Sequence, residues 1–362
     1  MNERIYNFNP GPAILPEDVL KEAQRELLNF HGTGMSILEI SHRDPAYDAV
    51  HQQVKADIKE LMSLGDDYEV VFTAGGASQS FALIPLNFAS AEHPGTYALS
   101  GSFSEKAYEE AVRLGVGTVA ASTKEGGYVR VPTQEEMRID PNAAYLHICL
   151  NNTIYGTEYH NTPKTNGVPL FADMSSDILS RPWDFGSYDF IYAGVQKNLG
   201  PAGVVLNVAK KSLLEKSPAE LPTMLRYSTF LKNDSLYNTP PVFAIYLVGL
   251  TVRWIKEHGG LSAMGESNAK KAALLYDVID SSDGFYQGHA EKSSRSRMNV
   301  TFRLSRESLT ADFVAAAKAQ GLSGIKGHRS VGGMRASIYN AMTLAGVEKL
   351  AAFMDDFRKK NR

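Results

Sequence analysis

Residues 188–203 read YDFIYAGVQKNLGPAG. The apolar run Phe190, Ile191, Tyr192 and Ala193 has the character of a short strand. Lys197 lies just beyond it, ahead of a Gly-Pro-Ala-Gly turn. A lysine delivered by a strand end into a small-residue loop can offer its amine to an aldehyde, if it is desolvated and positioned. Asp173, in VPLFADMSS at 168–176, closes an apolar run in the same way. An aspartate and a lysine on neighbouring strand ends are what a pyridoxal phosphate enzyme needs. The aspartate keeps the ring nitrogen protonated and the lysine forms the Schiff base. Alone the pair is weak, because most lysines are solvated surface residues.

Around this stretch, helical and strand-like segments alternate. Glu17 and Asp18 follow Pro16 at a helix start, with Val19, Leu20, Ala23 and Leu27 on one face. Val50, Val54, Ile58 and Leu61 mark a second amphipathic helix. Strands are expected at 69–73, 96–99, 116–120, 145–150, 168–172, 190–193 and 203–208. Most are continuous apolar runs, as a sheet covered by helices on both faces requires. The pattern changes after the Asn238-Thr239-Pro240-Pro241 break. A core helix from Pro241 to Trp254, a further helix through Ala272, Leu275 and Ile279, an alternating strand at 298–304, a helix at 311–320, a strand at 334–338 and a last helix at 347–357 follow. The expectation is an α/β fold in two domains. The large one covers 16–260 and a smaller α+β one covers 261–362, with the segment 1–15 packing near the latter.

Composition narrows the function. The 362 residues carry 37 basic and 40 acidic side chains, interspersed, for a net charge of −3, which offers no footprint for nucleic acid. No apolar run reaches membrane-spanning length, and the opening MNERIYNFNP lacks a signal-peptide core. Cys149 is the one cysteine, so no intramolecular disulfide can form; a reducing, cytoplasmic setting fits. The nine histidines show no metal-ligand spacing, and no metal is expected.

Other strand ends carry polar or glycine-rich features. In EVVFTAGGASQSFALIP (69–85) a strand meets Gly75-Gly76, and Ala77, Ser78 and Gln79 open a helix. Free amides and the helix dipole there favour a phosphate, although an ordinary capped turn has the same sequence character. Phe103, in YALSGSFSEKA, suits stacking on an aromatic ring or filling a core. Thr153, ending CLNNT, and Gln196 are polar groups at strand ends, where ligands of open α/β sheets collect.

The succession GGAS, SGSF, NNT, FADMSS and VQKN resembles the phosphoserine aminotransferase family, in the class V group of fold-type-I pyridoxal phosphate transferases. The likeness runs from NFNPGPA at 7–13 and SHR at 41–43, through NTPP at 238–241, to GHRSVGGMRASIYNA at 327–341. It implies a mostly parallel seven-stranded sheet in the large domain. It also implies catalysis by Lys197 and Asp173, and cofactor contacts from Ala77, Ser78, Phe103, Thr153 and Gln196. Asn238 and Thr239 would reach the cofactor phosphate of a partner subunit, making a homodimer part of the site. Two departures stand out: many members have Trp at the place of Phe103, and some have Gly-Arg at Ala77-Ser78; by the resemblance both weaken retention of the cofactor without changing the reaction.

The amino donors of that family, phosphoserine and glutamate, share an α-carboxylate and carry a distal anion. One site for both needs a fixed cation for the first and a tolerant cluster for the second, and arginine suits both. By the resemblance Arg335 takes the α-carboxylate, His42, Arg43, His328 and Arg329 form the distal cluster, and Asn9 lies near the carboxylate. Isolated SHR and GHR segments are otherwise ordinary turn surface. The implied reaction is reversible ping-pong transfer of the amino group between phosphoserine and 2-oxoglutarate, giving 3-phosphooxypyruvate and glutamate. Activity on 4-phosphooxy-L-threonine is implied as well, with roles in serine and pyridoxine biosynthesis. Rival readings are a class V enzyme for alanine and glyoxylate, a cysteine desulfurase, and a scaffold without activity. The desulfurase needs a mobile thiol, whereas Cys149 sits inside the apolar strand YLHICL.

Overall fold

A computed structural model describes residues 4–361; residues 1–3 of the N-terminal segment and residue 362 of the C-terminal region lie outside the described residues. Its centre is a seven-stranded sheet: β1 (Tyr68–Gly75), β2 (Gly95–Leu99), β3 (Gly117–Ser122), β4 (Tyr145–Cys149), β5 (Leu170–Asp173), β6 (Phe190–Gly194) and β7 (Gly203–Lys210). The spatial order is β1-β7-β6-β5-β4-β2-β3. All neighbours are parallel except β7, which runs antiparallel to both β6 and β1. The reversal follows from chain length. Only residues 195–202 separate β6 from β7, and a parallel return needs a crossover of about a dozen residues or more. That short connection carries Lys197, so the turn that reverses the strand also presents the lysine.

The expected strands all form, with ends displaced by a few residues. The displacement matters at β5, which includes Asp173 as its last residue. Alternating side chains of one strand enter different cores. Leu146 and Ile148 of β4 pack with Val54, Ile58, Ile245 and Val248, from α2 (Pro45–Leu61), which follows α1 (Glu17–Glu26), and from the helix Val242–Glu257. Tyr145 packs with Phe171, Tyr192 and Phe81 on the opposite face, under α3 (Ala77–Phe88) and α4 (Ser102–Arg113). Continuous apolar strands are the consequence of this double burial.

A separate core gathers Phe8, Leu275, Phe302, Phe313, Ala336 and Phe353. It lines the antiparallel strands β8 (Tyr286–Gly288), β9 (Asn299–Leu304) and β10 (Met334–Ser337). The N-terminal pair Tyr6–Asn7 runs parallel to Leu322–Ser323, which fastens the start of the chain to this core. The helix α6 (Gly260–Asp280), preceded by α5 (Val242–Glu257), spans both regions. Leu261 and Met264 belong to the large core, and Ala272, Leu275 and Ile279 to the smaller one. Among the described residues, no helix is long and apolar enough to cross a membrane.

Candidate active site

The carboxyl ends of β4, β5 and β6 and the loop after β6 bring Lys197, Asp173 and Thr153 to one edge of the sheet, the place where α/β sheets bind ligands. The Lys197 ammonium donates to Thr153 Oγ1 at 2.7 Å. Burial holds its pKa below the ordinary lysine value, while the charge of Asp173 acts in the opposite direction. A lysine so placed is an amine whose nucleophilic form is accessible. Asp173 is 5% exposed, and its Oδ1 accepts from the Ser175 amide at 2.9 Å and hydroxyl at 2.6 Å. Ser175 Oγ in turn accepts from the Gly194 amide at 3.0 Å, so β6 steadies the carboxylate of β5.

The Phe103 ring, in the first turn of α4, lies 4.6 Å from Lys197 Nζ and also packs on the sheet-face core. The aromatic partner and the core residue expected for Phe103 are therefore one and the same side chain. At α3 no side chain caps the helix, and the first amides of any helix lack intrahelical acceptors. Ser78 is exposed, leaving that positive end open. Gly75 has φ +115°, and a Cβ there would strike Gln79. A Cβ on Gly194 would come within 2.7 Å of Gln196 Oε1 and 3.4 Å of the Ala77 nitrogen. Gln196 thus stands beside the helix start. Backbone room, unpaired amides and an amide side chain fit the phosphate of a pyridoxal cofactor, and Lys197 with Asp173 fits its ring.

Arg335 points to the same place from the other core. It is 6% exposed; its Nη1 donates to the Thr153 carbonyl at 3.2 Å and its Nε is buried without a partner. Burial draws its pKa down, and no carboxylate pairs with it among the described residues. Thr153 therefore touches Lys197 with its hydroxyl and Arg335 with its carbonyl. A buried unpaired guanidinium calls for an anion.

His328 lines a narrow cavity with Arg335, His289, Thr301 and Arg303. Its Nδ1 is 2.7 Å from Ser330 Oγ. Burial first, then Arg335, Arg329 and Lys106, holds the imidazole below its usual pKa. Arg329 is exposed. His42 is 6% exposed with an unpartnered Nε2, and burial followed by Arg43 lowers its pKa too. Arg43 is exposed, and among the described residues no hydrogen bond or ion pair joins the 42–43 pair to His328, Arg329 or Arg335. Asn9 is exposed and packs against Gly324. Asn238 and Thr239 are exposed; the cavity containing Asn238 is shared with Thr73, Ala74 and Gln79 and not with Lys197 or Asp173.

Some contributors escaped the sequence reading. Ser175 follows Asp173 by two residues, the spacing at which an aspartate side chain meets a nearby amide, so ADMSS carried the signal. Gly11 passes over the lysine, where a Cβ would lie 3.2 Å from Lys197 Cγ, and the Ala13 amide donates to the Gln196 carbonyl at 3.0 Å. Nothing local marks that contact. Among the described residues no cluster of His, Cys, Asp and Glu is arranged to hold a metal. Cys149 is buried, and burial pushes its thiol pKa up, against a role as a mobile nucleophile.

Comparison with known proteins adds independent findings. The family described as aminotransferase class-V matches residues 5–350. The phosphoserine aminotransferase of Herpetosiphon aurantiacus is 51% identical over 356 residues, covering 98% of this chain and 99% of that protein. The solved phosphoserine aminotransferase from Bacillus circulans subsp. alkalophilus superposes with a TM-score of 0.98 at 49% identity, covering 100% of both chains. The pyridoxal-phosphate-bound phosphoserine aminotransferase of Trichomonas vaginalis gives 0.90 at 35% identity, over 97% of this chain and 100% of its own.

Proposed function

Because the chain belongs to the phosphoserine aminotransferase family of class-V aminotransferases, we propose that it transfers the amino group between O-phospho-L-serine and 2-oxoglutarate. In the biosynthetic direction 3-phosphooxypyruvate and glutamate are consumed, and serine biosynthesis is served. We extend the proposal to 4-phosphooxy-L-threonine, hence to pyridoxine biosynthesis. The observation that carries it is Thr153, which places a half-buried lysine and a buried arginine without a carboxylate partner on the two sides of one residue. That spacing suits an amino acid whose Cα must face Lys197 while its carboxylate faces Arg335.

Pyridoxal phosphate, when bound, supplies the electron sink that weakens the bonds to the substrate Cα. The chain's own residues do the rest. Lys197 Nζ, with its lowered pKa, takes the Cα proton from the amino donor and, in the second half-reaction, delivers one to Cα of the keto acid's carbon skeleton, and Thr153 Oγ1 sets its direction. Asp173, held by Ser175, would pair with the ring nitrogen of the cofactor. The amides of Ala77 and Ser78, with Gln196, would hold the cofactor phosphate, and Phe103 would cover the ring. Arg335 binds the α-carboxylate with Asn9 beside it, and His42, Arg43, His328 and Arg329 serve the distal anion. Asn238 and Thr239 of the partner subunit would complete the phosphate site in a cytoplasmic homodimer, with domains divided near residue 260.

The test is a steady-state comparison of 3-phosphooxypyruvate with its unphosphorylated analogue. The proposal expects the phosphorylated acid to be preferred by at least about tenfold, the worth of one charge-assisted contact. Near-equal efficiencies overturn the distal cluster. An absorbance band that glutamate does not shift overturns the transaminase itself.

A further inference from the structure

Lys271 lies in α6 with no exposed surface, and no carboxylate pairs with it among the described residues. Its ammonium instead donates to the backbone carbonyls of Tyr339 at 2.8 Å, Ile338 at 2.9 Å and Met342 at 2.9 Å, with the Asn340 carbonyl at 3.5 Å. Three close acceptors use the three N–H groups that only the charged form has. Burial opposes that charge and draws the pKa to about 7. The carbonyl dipoles, all aimed at Nζ, are what compensates it. Such a cage is the coordination that a desolvated monovalent cation takes, here tethered to a helix.

The caged turn, 338–342, directly follows β10, the strand of Arg335. The same turn reaches the Lys197 loop: the Asn340 amide donates to Asn198 Oδ1 at 2.9 Å, and Asn340 Nδ2 donates to the Leu179 carbonyl at 2.9 Å. One turn earlier in α6, Asn268 Nδ2 donates to Asn340 Oδ1 at 2.7 Å and to the Ser180 carbonyl at 2.9 Å. Tyr339 Oη donates to the Pro10 carbonyl at 2.6 Å, next to the segment that passes over Lys197. One buried helix face therefore joins the arginine strand, the lysine loop and the N-terminal segment.

We propose that Lys271 is a positioning residue for transamination: its ammonium acts as a tethered cation that shapes the 338–342 turn and so sets Arg335 against the Lys197 loop. It touches neither substrate nor cofactor. Without the cation the converging carbonyls repel one another, the turn opens, and Arg335 loses its register with Thr153. The inference rests on the reading of Arg335 as the carboxylate-binding residue.

The experiment measures KM and kcat for glutamate in the holoenzyme of Lys271→Met, Lys271→Ala and Arg335→Lys. Lys271→Met should raise KM by about three- to thirtyfold, the range of coupling through a packed network, while kcat moves less. In Lys271→Ala, potassium chloride should restore part of the lost affinity and choline chloride at equal ionic strength should not. A merely structural lysine would give no such ion selectivity. An unchanged KM in Lys271→Met, or a raised KM in Lys271→Ala that both salts leave alike, overturns the inference. An unchanged KM in Arg335→Lys overturns the reading of Arg335 instead. If the Lys271 variants do not fold, Asn268→Ala loosens the same turn with the cation in place. Its KM for glutamate should rise, and an unaltered value overturns the inference.

Discussion

At the cofactor end of the site Lys197 and Arg335 are held by contacts across the fold, whereas at the distal end the partners are neighbours along the chain. Lys197 and Arg335 both bond to Thr153 from distant segments; Asp173 is held locally by Ser175, but Ser175 is in turn bonded by Gly194 of the neighbouring strand. By contrast His328 bonds to Ser330 and the Arg43 amide to Ser41, each two residues away, while the side chains of Arg43 and Arg329 are exposed. The contrast follows from what each end must do. Proton transfer at a fixed carbon tolerates little displacement. A cluster that takes both a compact carboxylate and a bulkier phosphate gains from long cations that can move.

Breaking the cofactor end should have the largest effect. Lys197→Ala removes the group that moves the Cα proton, and kcat should fall by at least about 10²-fold in a glutamate half-reaction followed by absorbance. A smaller fall would mean that another base stands in. Asp173→Asn keeps the shape and removes the charge, and a kcat loss of about 10²-fold is expected, with KM little changed. If KM rises and kcat stays, Asp173 only helps to bind.

At the distal end the effect should be smaller and selective. Arg329→Ala should raise KM for phosphoserine by about tenfold, one charge-assisted contact, and disturb an amino acid without a distal anion far less. Equal losses for both would assign Arg329 to folding. The pH dependence sharpens the same contrast. His328 is held below its usual pKa, so less of it is charged at neutral pH than of an ordinary imidazole. Its charged form grows as pH falls, and that form attracts the distal anion. KM for phosphoserine should therefore fall on going from about pH 7.5 to about 6, and His328→Gln should flatten that slope.

The smallest effect concerns the sheet under the cofactor end. His147 of β4 is buried, its Nε2 lies 2.9 Å from Tyr192 Oη, and burial pushes its pKa down to about 3. Tyr192 is the register partner of Asp173. An unfolded chain would bind a proton at this histidine near pH 6.5, while the folded one does not. Its stabilising contribution is therefore complete above that pH and is lost as the pH falls toward 3, by about 1.4 kcal/mol per unit. Melting curves at pH 7 and 5.5 should show the loss, with a shallower one in His147→Phe. An unchanged slope would assign the pH dependence to other groups.

The same contrast separates what could be read in advance from what could not. Lys197 and Asp173 were legible because a strand end is a local pattern, an apolar run followed by a break. The GGAS turn was legible for the same reason. The antiparallel course of β7 follows only from the shortness of its link to β6, not from any pattern within the strand. Lys271 gave no sign at all: a lysine in a helix of ordinary polarity looks like solvated surface, and only its four carbonyl neighbours say otherwise. Thr153 was visible as a strand-end polar group, but its link to Arg335 spans 182 residues of sequence.

By itself, then, the sequence determined a sheet covered on both faces, the order of its strands along the chain, and which lysine and aspartate stand at their ends. These follow from side-chain periodicity and chain length, which are local. The tertiary structure alone decided that Thr153 stands between Lys197 and Arg335, that Gly11 passes over the lysine, and that Lys271 is caged. Those contacts join segments far apart in the chain, and no local preference records which distant carbonyl or hydroxyl a side chain will meet once two cores have closed around it.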